Sequence, residues 1–186
     1  TFAAEGAGAL ILSFRLVPEF GLFRGIYHAI FLAVSAFCNA GFDVLGQANS
    51  LEQYAGDPVI NLVIMLLITT GGLGFSVVLD IVKKRRFSKL MLHSRIVLLM
   101  SGILFVSGAL LIGILEWNNP DTLGNPELNV PQKAMAACFQ SVTLRTAGFD
   151  TIGQGDLTPA ANLVSIIYMF IGASPASTGG GIKTTT

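Results

Sequence analysis

Two short stretches have residue types and spacing suited to stripping water from an ion. They are Asn39-Ala40-Gly41-Phe42-Asp43 and Thr146-Ala147-Gly148-Phe149-Asp150. A monovalent cation leaving water needs oxygens in place of its hydration shell, and backbone carbonyls converging on an axis supply them. Gly permits the dihedrals that aim carbonyls inward and puts no side chain in the path. Asn39, Ala40, Gly41 and Phe42, with Thr146, Ala147, Gly148 and Phe149, are therefore candidate filter residues. Asp43 and Asp150 follow at the outer mouth, where carboxylates concentrate cations. The plain alternative is two tight turns in external loops, and the duplication with matching flanks speaks against it. Two loops do not close a ring, so further repeats or other subunits have to supply the rest. The copies match in pattern, so Gly41→Ser and Gly148→Ser are expected to act alike.

The elements that position these stretches come in a repeated order. Phe2 to Leu16 reads as the outer part of a spanning helix closed by Pro18 and Gly21. Arg24–Phe37 is apolar, and its 14 residues make a helix of about 21 Å, short of the roughly 30 Å hydrocarbon core. It predicts a re-entrant helix whose C-terminus brings negative partial charge toward mid-membrane. Pro58–Leu79 is an uncharged run of 22 residues, about 33 Å as one helix, with Pro58 suited to the first turn. Gly71, Gly72 and Gly74 within it would let another backbone come close. Asp80 to Arg95 is a basic connector, and Ile96–Leu115 is a second span of 20 residues ending near Trp117, an interfacial anchor. After a polar loop the order returns: Pro131–Thr143 is half-length, the second Gly turn follows, and Leu157–Ile182 is uncharged.

The repeat extends beyond the turns. The offset that aligns Gly41 with Gly148 also aligns Gly46-Gln47 with Gly153-Gln154, and a slightly smaller one aligns Asn61-Leu62-Val63 with Asn162-Leu163-Val164. Two spans separate the turns, so both turns face one side and the repeat is parallel rather than inverted. The segments are read as residues 1–82 (one repeat with its first helix truncated), 83–95 (cytoplasmic connector) and 96–186 (the next repeat, truncated in its last helix). Lys83, Lys84, Arg85, Arg86, Lys89 and Arg95 put the connector in the cytoplasm and the turns outside. This cluster reads mainly as topology and anionic-lipid contact, with a regulatory-subunit contact as the alternative.

Composition sets the class. The chain is 52% hydrophobic and 12% charged, with mean hydropathy +0.68, whereas soluble domains carry about 25% charged residues. A lipid bilayer is the implied environment, and zero net charge gives no surface for nucleic acid. Cys38 and Cys138 lie in apolar segments and read as packing residues. His28 and His93 are isolated, so packing or surface roles are expected and no metal site other than for the transported ion. No paired carboxylates, Ser-His or Cys-His arrangement suggests an enzyme or a cofactor. Arg145, just before the second turn, is either a functional charge or the structural partner of an acid such as Glu116 or Asp43, with the pair favoured.

The stretch Ala173-Ser174-Pro175-Ala176-Ser177-Thr178-Gly179-Gly180-Gly181 is a poor continuous helix, since interior Gly costs about 1 kcal/mol and Pro about 3. It is not a phosphate-binding loop, because Ile182 separates Gly181 from Lys183. Backbone freed at membrane depth survives against water or protein. A loop obstructing the pore beneath the filter meets that condition, held by few side chains, with Lys183 tying it to the cytoplasmic mouth.

Four stretches together resemble the Trk/Ktr/HKT superfamily of potassium transporters, most closely the bacterial Ktr-type membrane subunit. They are Ser35 through Asp43, Thr69-Thr70-Gly71-Gly72-Leu73-Gly74-Phe75, Arg145 through Phe149, and Gly172 through Thr184. The resemblance implies an all-α integral membrane fold, with parallel M1–pore helix–M2 repeats around a pseudo-fourfold pore and a broken M2 helix in the third repeat. The chain would hold the second and third repeats. It implies potassium uptake with one filter Gly per repeat, an intramembrane gate at residues 173–181, and a multi-pass location in the cell membrane. It also implies a homodimer docked on a cytoplasmic nucleotide-binding regulatory ring. Sodium or proton coupling stays open. Two rivals remain: a secondary cation-coupled transporter with broken helices, for which inverted repeats are common, and a structural membrane scaffold, for which the filter glycines would not matter.

Overall fold

The computed structural model describes residues 1–45, 51–126 and 128–183, and everything below concerns these. Gly46 and Gln47 of the repeated pattern, Glu127 and Thr184 lie outside them. Seven α-helices follow in order: α1 (Phe2–Phe20), α2 (Leu22–Phe37), α3 (Pro58–Leu73), α4 (Phe75–Lys84), α5 (Leu92–Glu116), α6 (Val130–Thr143) and α7 (Pro159–Phe170). No strand is formed among the described residues; Ile171 and Ile182 make one isolated parallel bridge.

α1 and α2 form a tight hairpin about Gly21, which sits at φ 80. Pro18 does not close α1; the helix runs two residues further, because Pro near a C-terminal end removes one hydrogen bond and the chain is turning there anyway. The hairpin is close because Gly25 faces Val17: a Cβ there would lie 2.5 Å from the Val17 Cα. α3 lies across this hairpin and packs on α6, burying Leu12, Leu32, Ile64, Ile68, Phe139 and Phe149 in one core. α5, α6 and α7 enclose a second core around Ile112, Ala136, Leu144 and Tyr168.

Helix starts follow local chemistry. Asp57 accepts from the Val59 and Ile60 amides at 2.9 and 3.2 Å, with Pro58 in the first turn. Arg15 pairs with this cap and with Glu19, which also accepts from the Tyr54 hydroxyl at 2.9 Å. Asn129 and Gln132 form a reciprocal capping box on α6. Glu116, fully buried at the end of α5, accepts from the Thr122 and Thr158 hydroxyls, both at 2.6 Å, and from Asn119 at 2.7 Å. It ties α5 to the polar loop and to the start of α7.

The uncharged run expected to be one helix over Pro58–Leu79 is two. α3 and α4 meet at Gly74 with a bend of 100°. Gly74 has φ 87, and a Cβ there would lie 2.5 Å from the Pro175 carbonyl oxygen. Another segment inserts at the break and takes the freed backbone groups, which periodicity along α3 did not reveal. α5 alone is long and apolar enough to cross a membrane, or two spans do so if the bent pair counts as one. Its Leu99, Ile103, Val106, Leu110 and Ile114 are exposed, an apolar face suited to lipid. The uncharged run Leu157–Ile182 is helical only from Pro159 to Phe170.

Candidate functional site

α2 ends two residues before Asn39 and α6 three before Thr146, so each half-length helix aims its C-terminus at one of the two Gly turns. Asn39 and Thr146 have φ 51 and 65, and Gly41 and Gly148 have φ 71 and 84. Positive φ thus recurs at the same two positions of each turn. Only Gly adopts that region freely; Thr146, being β-branched, is held there by its surroundings. The turns touch. A Cβ on Gly41 would lie 2.5 Å from the Ala147 carbonyl oxygen and 2.7 Å from the Gly148 Cα, and one on Gly148 would lie 3.2 Å from the Gly41 Cα.

Hydrogen bonding separates the carbonyls of these turns into two groups. Those of Asn39, Ala40, Gly41, Thr146, Ala147 and Gly148 accept no bond from any described residue. Unpaired backbone oxygens in an apolar protein call for water or a cation. The Phe42 and Phe149 carbonyls are instead occupied, each accepting at 2.6 Å from the hydroxyl of Ser35 and Thr143 respectively. Asp43 is half-buried and accepts from the Leu45 amide at 3.2 Å; the Asp150 carbonyl accepts from the Leu51 amide at 2.9 Å.

Residues 171–183 fold back against the second of these turns. Ala173 donates to Gly180 at 3.0 Å, closing the segment into a loop. The loop meets the break in the α3–α4 pair: Ser174 N donates to Gly72 O at 3.1 Å, Thr178 N to Gly71 O at 3.3 Å, and Phe75 N to Ala176 O at 3.1 Å. Thr178 Oγ1 donates to Phe37 O, the last carbonyl of α2, at 3.0 Å. Gly180 N donates to Thr146 Oγ1 at 2.8 Å. Only Thr178 and Thr146 contribute side chains to these anchors; three further bonds are between backbone groups, which side-chain composition does not display. Lys183 does not reach away from the loop; its Nζ donates to Gly179 O at 2.7 Å. Pro175 and Ala176 sit against Gly74, Ser177 Oγ bonds Ser174 O, and Gly181 lies against Gly172.

Arg145 is 9% exposed, and its Nε and Nη2 have no partner. The favoured pairing fails for Glu116, whose oxygens are taken by Thr122, Asn119 and Thr158, and no contact joins Arg145 to Asp43. The guanidinium borders an apolar cavity of about 360 Å³ shared with Asn39, Met65, Thr69, Ser101 and Phe105. His28 packs on Phe20 with ring centroids 4.8 Å apart. Both cysteines are free, and among the described residues no cluster of metal-ligating side chains forms.

The sequence pattern does not single out Ser35 or Thr143, because a hydroxyl at a helix end carries no signal of the carbonyl it reaches. Asn61 and Asn162, seen as repeat markers, do related work: Asn61 Nδ2 donates to Asp57 O and Tyr54 O, both at 2.7 Å, and Asn162 Nδ2 donates to Leu157 O at 3.2 Å. Each ties its helix to the loop that precedes it.

The family of cation transport proteins named TrkH matches residues 8–186. The Ktr system potassium uptake protein B of Bacillus subtilis (strain 168) is 44% identical over the whole chain, which covers 41% of that protein. The potassium/sodium uptake protein NtpJ of Enterococcus hirae is 38% identical over 96% of the chain and 39% of its own length. The crystal structure of the potassium transporter TrkH from Vibrio parahaemolyticus superposes with a TM-score of 0.72 at 23% identity, over 99% of this chain and 36% of that one. The fold is shared with it, and the chain spans about two fifths of the relatives' length.

Proposed function

Because this chain belongs to the TrkH family of cation transport proteins, we propose that it supplies two filter segments of a potassium uptake pore. Residues 39–42 and 146–149 face the ion path and present the carbonyls of Asn39, Ala40, Gly41, Thr146, Ala147 and Gly148. The observation that carries this reading is the contact between Gly41 and Gly148, which sets side by side two carbonyl triplets that accept no bond among the described residues. A cation held there exchanges water for carbonyl oxygens without any side chain needing to move. Asp43 and Asp150 form the outer vestibule.

The second and third repeats, residues 1–82 and 96–186, stand in parallel around the pore, joined by the cytoplasmic connector 83–95. Residues 173–181 form the gate, a reading supported by the bond from Gly180 to Thr146 at the second turn. The protein is a multi-pass protein of the cell membrane. It works as a homodimer on a cytoplasmic nucleotide-binding ring, in keeping with relatives named as components of Ktr systems. Sodium is the second ion to consider, since one relative carries both ions in its name. The break at Gly74 also suits a secondary transporter with broken helices, but that reading gives no reason for two Gly turns to meet.

Gly148→Ser in the full-length protein tests the reading. A side chain at φ 84 disturbs carbonyl presentation, so potassium selectivity over sodium falls in uptake assays while the protein still reaches the membrane. Unchanged selectivity removes Gly148 from the filter.

A further inference from the structure

The two filter turns are gripped alike by residues that do not align. Ser35 holds its turn at two points: its carbonyl accepts from Ala40 N at 2.9 Å, and its hydroxyl donates to Phe42 O at 2.6 Å while accepting from Phe42 N at 3.0 Å. Thr143 makes two of these three bonds in the other repeat: its carbonyl accepts from Ala147 N at 2.9 Å, and its hydroxyl donates to Phe149 O at 2.6 Å. The hydroxyl lies seven residues before its carbonyl partner in one repeat and six in the other. Aligning the repeats on their glycines therefore pairs Ser35 with Val142 and Thr143 with Ala36. The helix ends differ by one residue, and a hydroxyl nonetheless reaches the carbonyl just beyond the filter Gly in both. Both braces are 5% exposed, so water does not compete well for these bonds.

We propose that Ser35 and Thr143 are positioning residues for ion selectivity. Each withdraws the Phe carbonyl from the ion path and, by holding both flanks of the Gly, fixes the direction of the carbonyls between. Selectivity between two monovalent cations depends on the number of oxygens offered and on how far they can relax. Without the hydroxyl, the Phe42 or Phe149 carbonyl loses its partner and is free to swing toward the path. The site then offers an extra, softer ligand and tolerates the smaller, more strongly hydrated ion. Nothing here involves Arg145 or the gate, so the maximal rate is set elsewhere.

The inference rests on the filter reading above, and the experiment separates the two. Full-length protein is reconstituted in lipid vesicles at matched amounts, and potassium uptake is measured with sodium as competitor. Ser35→Ala and Thr143→Val, the latter close in shape to Thr, are compared with Ser35→Thr, Thr143→Ser and Gly148→Ser. Potassium over sodium discrimination falls roughly three- to tenfold in Ser35→Ala and Thr143→Val, the range expected for one lost hydrogen bond. The maximal rate holds, and the hydroxyl-retaining variants keep most of the discrimination. If Gly148→Ser loses discrimination while Ser35→Ala and Thr143→Val keep it, the braces are structural only and the filter reading stands. If all three keep it, the filter reading fails and the braces fail with it. A drop in maximal rate that the hydroxyl-retaining variants do not rescue, with discrimination intact, also overturns the proposal.

Discussion

At Asn39 and Thr146 the two repeats hold the same left-handed backbone, yet the side chains reach different structures. Thr146 Oγ1 accepts from Gly180 of the loop at 2.8 Å. The Asn39 amide, turned to satisfy its surroundings, donates to Ile68 O of α3 at 3.3 Å. Each thus touches the segment that follows its own turn, a helix in one repeat and a loop in the other. The neighbours differ further out: Phe149 is fully buried, whereas Phe42 is 70% exposed. One backbone shape is therefore kept in two settings, which points to selection on the carbonyls rather than on the side chains around them.

The sharpest way to break this comparison is at the glycines, where the effect is largest. The sequence pattern predicts equal outcomes; the structure does not. A Cβ on Gly41 meets the backbone of Ala147 and Gly148 at 2.5–2.8 Å, while one on Gly148 meets nothing nearer than the Gly41 Cα at 3.2 Å. Backbone cannot step aside as a side chain can. Gly41→Ala should lose uptake almost entirely, and Gly148→Ala should retain transport with poorer discrimination, both read from potassium uptake and membrane abundance.

Deleting Ser177–Gly180 comes next. It removes the Thr178 and Gly180 bonds to α2, α3 and Thr146. Flux should rise severalfold and depend less on the regulatory partner, with selectivity kept. A deletion variant present in normal amounts that conducts no faster would reduce the loop to a packing element.

Thr146→Val asks whether the filter side chain is part of that restraint. It loses a single hydrogen bond to the loop, about 1 kcal/mol, so flux should rise by a few fold. Asn39→Leu, whose amide lies beside Gly179 but bonds α3 rather than the loop, should change loop-dependent flux less than Thr146→Val, as measured by the ratio of flux with and without the regulatory partner.

The smallest effect lies in the connector. The Lys84 ammonium at 2.8 Å, followed by the Met91 amide, holds the Asp80 carboxyl down at about 2. A carboxylate with a depressed folded value stabilises above its ordinary 3.8 and loses that contribution as pH falls toward 2. Asp80→Asn should lower thermal stability in detergent by a few degrees at neutral pH, and the gap to the unmodified protein should close as pH falls from about 4 to 2.

Much of this was legible in the sequence because it depends on local signals. The Gly turns, half-length α2 and α6, and the start of α3 at Pro58 follow from spacing and residue type. The break at Gly74 was hidden in an apolar run whose composition suits one helix. It arises from Pro175 and Ala176, a hundred residues away in the chain. The Arg145 pairing misled because charge complementarity alone did not reveal that Glu116 was already satisfied by three neutral donors. Ser35 and Thr143 escaped notice because the alignment that exposes the repeat also separates them.

The central claim is that the carbonyls around Gly41 and Gly148 hold the transported cation. Anomalous diffraction from crystals of the full-length protein soaked in rubidium tests it directly. The account predicts a peak beside the Ala40, Gly41, Ala147 and Gly148 carbonyls, lost when sodium replaces rubidium. Rubidium density elsewhere in the membrane region, with none beside these four residues, would contradict it.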